Sequence, residues 1–188
     1  MSLIKMLVSF APWIAFLILA RGDLLQIKIA LLVAFVVNVG MAVTKLHRGA
    51  LMWAGNVFFL VALVAVGWFE NLWVLRNLGV LANGALAAGV LGGLLAGKPF
   101  TLEYAKQSVD PGRWSDPVFV RTNTILTGVW GATFVVNAAL AWAKTRHELL
   151  PDDAFEVLNY AGLIGAALFT RWYAAFMHRK ADAARRPS

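Results

Sequence analysis

Apolar residues run along this chain in long unbroken stretches with short polar breaks between them. Six stretches, roughly 3–20, 24–44, 50–69, 74–97, 119–143 and 154–173, approach the length that crosses a bilayer. About 20 apolar residues of helix span a hydrocarbon core of about 30 Å. The breaks are Arg21-Gly22-Asp23, Lys45 through Gly49, Glu70-Asn71, Lys98-Pro99 and Lys144 through Asp153. The runs are continuous rather than alternating, and about twice as long as a membrane-spanning strand needs. The pattern therefore predicts an all-α polytopic bundle of six spans forming one membrane domain. The first run follows Lys5 as a signal peptide would, but it ends in Leu19-Ala20-Arg21 with no small-x-small site and carries Pro12 and Trp13 in its middle. A retained first span, kinked at Pro12, is the expectation.

Composition agrees. The chain has 188 residues, 60% of them hydrophobic and 14% charged, where soluble domains carry about 25% charged residues. A water-soluble core at this length cannot absorb so much apolar surface. Cysteine is absent, which removes disulfides, thiolate nucleophiles and Cys-based metal centres. A formal charge of +7 would point to nucleic acid in a soluble protein. Here the basic residues lie between the spans, where they orient the chain beside anionic lipid; no nucleic-acid partner is expected.

With six spans both termini share a side. That side holds Lys5, Lys45, Arg48, Lys98, Lys106, Arg113, Arg121, Arg171, Arg179, Lys180, Arg185 and Arg186, against Arg21, Lys28, Arg76, Lys144 and Arg146 opposite. The bias of twelve to five predicts cytoplasmic termini in a bacterial inner membrane. The longest cytoplasmic connection is the amphipathic segment 98–118. Its first half is expected to form a short interfacial helix. Phe100, Leu102, Tyr104 and Val109 offer apolar area there, Lys106 can reach lipid phosphate, and Trp114 serves as an anchor. Asp110-Pro111-Gly112 reads as a turn, and Asp116-Pro117 as the N-cap and first residue of the fifth span.

No ionisable residue lies near the middle of a span, and His47, His147 and His178 sit at loops or span ends. Haem ligation, H-E-x-x-H zinc chemistry and G-x-S-x-G nucleophiles have no residues to build on. Neither catalytic nor metal residues are assigned, and no cofactor is expected. Glu148, Asp152, Asp153 and Glu156 with His147 make the one acidic cluster; solvated acids, with Asp152 or Asp153 capping span six, explain it. The spans do carry one asparagine each from the second onward: Asn38, Asn56, Asn83, Asn137 and Asn159. Asn38 and Asn56 fall about 9 Å in from the cytoplasmic side, Asn137 and Asn159 at a like depth from the other, and Asn83 nearer the middle. Such amides either bridge helices or line a polar cavity for an uncharged or zwitterionic solute. Span four bears a small-residue stripe, Ala85, Gly89, Gly93 and Gly97, and Gly162 and Ala166 repeat the spacing on span six. Close helix approach is expected there, which places span four centrally or at a homodimer seam.

The plan resembles the intracellular septation protein A family of bacterial inner-membrane proteins. The resemblance rests on Phe10-Ala11-Pro12, on Gly97-Lys98-Pro99, and on Trp114, Asn123, Trp130, Phe134 and Asn137, with the residue-level likeness between 97 and 142. It implies a non-enzymatic scaffold of the cell envelope and septum that associates with other membrane proteins, and it supplies no catalytic residue. A small channel or facilitator using the asparagines is the other expectation.

Overall fold

The computed structural model describes residues 8–20, 22–44, 49–146 and 151–184, with side chains through 180. Lys45, His47, Arg48, His147 and Glu148 lie outside them. The described residues form helices and no strand: α1 (Ala11–Leu19), α2 (Leu24–Val43), α3 (Gly49–Ala62, continued by a π-helical stretch Leu63–Trp68), α4 (Leu72–Arg76), α5 (Leu78–Leu95), α6 (Phe100–Lys106), α7 (Pro117–Arg146) and α8 (Asp152–Ala184). Four of them, α2, α3 with its π extension, α5 and α7, are long and apolar enough to cross a membrane.

The surface shows what surrounds them. On α2 the exposed large apolar residues are Leu25, Ile29, Leu32, Val36, Val39 and Val43, spaced three and four apart, with Gln26 the one exposed polar residue, while Ala30, Leu31, Ala34, Asn38 and Met41 are buried. A helix on a soluble protein carries polar residues on its outer face. This one is apolar on both faces and keeps its amide inside, the arrangement lipid favours.

Consecutive long helices pack antiparallel. Lys28 of α2 meets Glu70 beyond α3. A Cβ on Gly89 of α5 would stand 2.6 Å from the Ala54 Cβ of α3, and one on Gly93 3.2 Å from Ala50. Between α5 and α7, Gly131 faces Leu91 and Gly79 faces Ala141. Lys144 of α7 meets Glu156 of α8 at 3.2 Å, while Trp130 reaches Thr170 near the middle of both helices. So α5 is central, as the stripe predicts, between α3 and α7. Helix α1 packs on α2 and sends aromatic rings inward. Phe10 stacks on Trp130 at 5.3 Å between centroids, and Trp13 stacks on Phe58 at 5.1 Å.

Three expectations change. Pro12 does not kink a helix: it lies in the first turn of α1, where its missing N–H breaks no hydrogen bond. The run 74–97 is two helices, divided at Asn77, whose side chain donates to Trp73 O at 2.8 Å. Asn71 caps α4 by accepting from Val74 N. Asp152 and Asp153 stand in the first turn of α8 rather than before it. The Asp116 cap of α7 is present, its Oδ1 accepting from Val118 N at 2.8 Å, and so is the turn at Asp110, which accepts from Gly112 N at 2.8 Å.

The fold also contains an inverted repeat. Phe35-Val36-Val37-Asn38 on α2 recurs as Phe134-Val135-Val136-Asn137 on α7, and Leu51-Met52-Trp53-Ala54-Gly55 on α3 as Leu158-Asn159-Tyr160-Ala161-Gly162 on α8. Because successive helices alternate in direction, α2 and α7 run oppositely, and so do α3 and α8. The two hairpins carry these short strings in opposite senses.

Candidate functional site

The repeated strings hold three of the five asparagines, Asn38, Asn137 and Asn159. Asn38 is fully buried and donates from Nδ2 to Met52 O at 3.4 Å. Three residues beyond Met52, Gly55 leaves the amide room: a Cβ there would lie 3.0 Å from Asn38 Oδ1. On the other hairpin, buried Asn137 donates to Asn159 O at 3.4 Å, and a Cβ on Gly162 would lie 3.2 Å from its Oδ1. Both amides thus donate across to the neighbouring helix. Asn83 is half-buried and bonds its own helix through Gly79 O. Asn56 and Asn159 are half-buried. The five do not converge on one cavity.

The small-residue stripe is used within the chain. Gly89 and Gly93 let α3 approach α5. Ala85 and Gly89 border an apolar groove of about 610 Å³ between α3, α4 and α5. Ala166 is buried. Gly97 is not on the stripe: α5 ends at Leu95, and Gly97 takes φ +71, the left-handed turn that closes many helices.

Helix α6 forms where expected but faces inward, which corrects the interfacial reading. Phe100 and Tyr104 are 2% exposed and Thr101 is fully buried. Rings already inside the bundle receive Phe100, edge-on to Phe10 at 6.1 Å and to Trp130 at 6.5 Å. A hydroxyl network fixes the helix. Thr101 Oγ1 donates to Asn123 O at 2.7 Å, so the Thr127 hydroxyl, 2.9 Å away, supplies the proton between the two oxygens. Lys106 and Trp114 keep to the surface, the ammonium 5.5 Å from the indole centroid. Glu103, half-buried, packs its carboxylate on Gly49 at the start of α3. Burial holds its carboxyl above the ordinary value, against the pull of Lys98 and Lys106.

Inward placement of α6 leaves a cavity of about 580 Å³ between the 107–118 connection, α7 and α8. Arg113, Arg171, His178, Asp110 and Asp116 border it, with Thr122, Asn123 and Thr170 deeper. Its apolar wall includes Phe119, Leu126 and Met177. Asn123 is 3% exposed. Its Nδ2 donates to Phe119 O at 2.8 Å, while its Oδ1 has no hydrogen-bond partner, and neither has the buried Nε of Arg113. Thr122 and Thr170 donate to carbonyls of their own helices. Buried polar atoms are ordinarily satisfied; among the described residues the Oδ1 atoms of Asn38, Asn137 and Asn159 are idle as well, away from this cavity.

Sequence reasoning reached Asn123 only through the family resemblance and did not reach Arg113, Thr101 or Thr127 as site residues. The signal was the polar run Arg121-Thr122-Asn123-Thr124, with Thr127, at the start of an otherwise apolar helix. In lipid, polar side chains of that density must face protein or water.

Compared with family models, curated proteins and solved structures, the chain matches none.

Proposed function

We propose that this chain is a six-span protein of the bacterial inner membrane, with both termini cytoplasmic, that works without catalysis by binding a small uncharged or zwitterionic molecule. The apolar run 3–20, which contains α1, and helix α8 are the two additional spans on this reading. Exposed Val157, Ile164, Leu168, Trp172 and Phe176 give α8 an outward apolar face. The Lys and Arg bias of twelve to five supports the orientation. One observation carries the binding reading: the cavity of about 580 Å³ between the 107–118 connection, α7 and α8, with Arg113, Arg171, Asp110 and Asp116 at its border and Phe119, Leu126 and Met177 in its apolar wall. Ligand sites are concave, mostly apolar and equipped with a few placed polar groups.

A cysteine-free chain allows a direct test. Ala174, half-buried on the cavity wall, is replaced by cysteine and exposed to an impermeant maleimide in inside-out and right-side-out vesicles. Labelling from the cytoplasmic face alone is expected. No labelling from either face, or labelling from outside, would overturn the reading.

A second reading, an envelope scaffold that associates with other membrane proteins, is favoured by the α3–α5 groove. Trp53 and Trp73 flank it and are 64% and 65% exposed. The resemblance to the septation family points the same way. Affinity capture from gently solubilised membranes tests it: a specific membrane partner lost on Ala85→Leu would support it, and none would remove it.

A further inference from the structure

We propose that the groove between α3, α4 and α5 holds one acyl chain of an anionic phospholipid, with the headgroup at its inner end beside Lys98. The site is separate from the α7–α8 cavity.

The groove runs lengthwise. On α3 its lining extends from Ala50 to Ala62, about 18 Å of helix, close to one leaflet's share of a hydrocarbon core of about 30 Å. Its volume of about 610 Å³, spread over that length, leaves a section of about 34 Å², against about 80 Å² for a helix about 10 Å across. Only alanine, glycine, valine, leucine, phenylalanine and tryptophan line it, so no hydroxyl, amide or charged side chain asks for a partner. Membrane helices associate through small residues and polar contacts. The small residues here are already engaged within the chain, Gly89 on Ala54 and Gly93 on Ala50. What remains is a slot rimmed by exposed Trp53, Val57 and Val61. A flexible hydrocarbon chain fills such a slot, whereas a second helix would ride on its rim.

The inner end carries the charge. A Cβ on Gly93 would lie 3.2 Å from the Ala50 Cβ and 3.1 Å from Lys98 O, so the turn after α5 sets Lys98 over the mouth of the groove. Lys98 is exposed and makes no salt bridge among the described residues. Glu103 packs on Gly49 beside the same mouth, and both Lys98 and Lys106 pull on it. Two cations against one half-buried acid leave the mouth basic. On the six-span reading this end is cytoplasmic, the leaflet where anionic lipid collects.

The full chain, in neutral maltoside, is titrated with phosphatidylglycerol and with phosphatidylcholine of the same acyl chains, and bound lipid is counted by native mass spectrometry. One phosphatidylglycerol per chain is expected, held about fivefold more tightly than phosphatidylcholine. Ala88→Phe, at an exposed position on the α5 wall, fills the slot and should weaken phosphatidylglycerol about tenfold. Val61→Trp, exposed on the α3 wall, should do the same, and a melting temperature near wild type shows that each variant is folded. Lys98→Gln should leave lipid bound but equalise the two headgroups. Folded groove-filling variants that bind lipid as wild type does would overturn the proposal. So would equal affinity for the two lipids in wild type, or a preference that survives Lys98→Gln. A second copy or another membrane protein held in the complex without lipid, and lost on Ala88→Phe, would also overturn it and assign the groove to a helix.

Discussion

Asn38 and Asn137 make the same contact on two helix pairs that run in opposite senses. Each donates to a carbonyl on the neighbouring helix at 3.4 Å and rests its oxygen over a glycine three residues further on. A hydrogen bond between membrane helices contributes about 0.6–2 kcal/mol. Gly162→Ala is expected to press on Asn137 Oδ1 and lower stability by about 1 kcal/mol. In a double-mutant cycle with Asn137→Ala the two effects should be strongly non-additive. The cycle Asn38→Ala with Gly162→Ala should be additive, because those residues sit on different hairpins. Thermal unfolding in detergent reads both.

The α3–α5 contact predicts a rescue. A methyl on Gly89 would stand 2.6 Å from the Ala54 Cβ and 3.3 Å from Ala50 O, closer than carbon atoms approach without displacement. Gly89→Ala should cost about 1–3 kcal/mol by overpacking. Adding Ala54→Gly should recover a substantial part. Loss without recovery would mean that the two helices do not meet at this pair.

Thr101 holds α6 to α7. Its hydroxyl serves Asn123 O and Thr127 at once, and the residue is fully buried. Thr101→Val keeps the shape and leaves the Thr127 hydroxyl and the Asn123 carbonyl without that partner, a loss of about 1–3 kcal/mol. Since α6 forms one boundary of the cavity through Ala105, the variant should also admit maleimide at Ala174→Cys faster than wild type.

Glu103 gives a pH signature. Burial raises its carboxyl from 4.5 in the folded chain, so the folded state holds the proton to higher pH than the unfolded state does. Stability attributable to this group is present below the unfolded value and falls as pH rises through the folded one. Glu103→Gln should therefore match wild type near pH 4 and exceed it in melting temperature near pH 7. The reverse order would show that Lys98 and Lys106 outweigh burial.

The long helices were legible because lipid demands continuous apolar runs, and the runs at 24–44 and 119–143 closely match α2 and α7. That Asn38 and Asn137 would either bridge helices or line a polar cavity was legible for the same reason, since an amide in hydrocarbon needs a partner, but the pattern did not decide between the two. The repeat was hidden by its connections. Asn38 and its acceptor are 14 residues apart, Asn137 and its acceptor 22, so no single offset aligns both halves. The direction of α6 was not legible either, since Phe100 and Tyr104 suit a lipid interface and a protein interior equally well. Only the rings of Phe10 and Trp130, distant in the chain, decide between them. The cavity depends on that placement and so lay beyond reach of the pattern.

Helix α8 is longer than a crossing requires. Its 33 residues extend about 50 Å, against about 30 Å of hydrocarbon. On the six-span reading, the excess projects from the inner leaflet as a rigid mast. His178, Arg179 and Lys180 are carried along it, at heights set by helical rise rather than by a floppy tether. Screening at physiological salt fades such charges within about 8 Å, so those nearest the top of the mast are presented to whatever approaches through the aqueous phase and are largely lost to the lipid beneath.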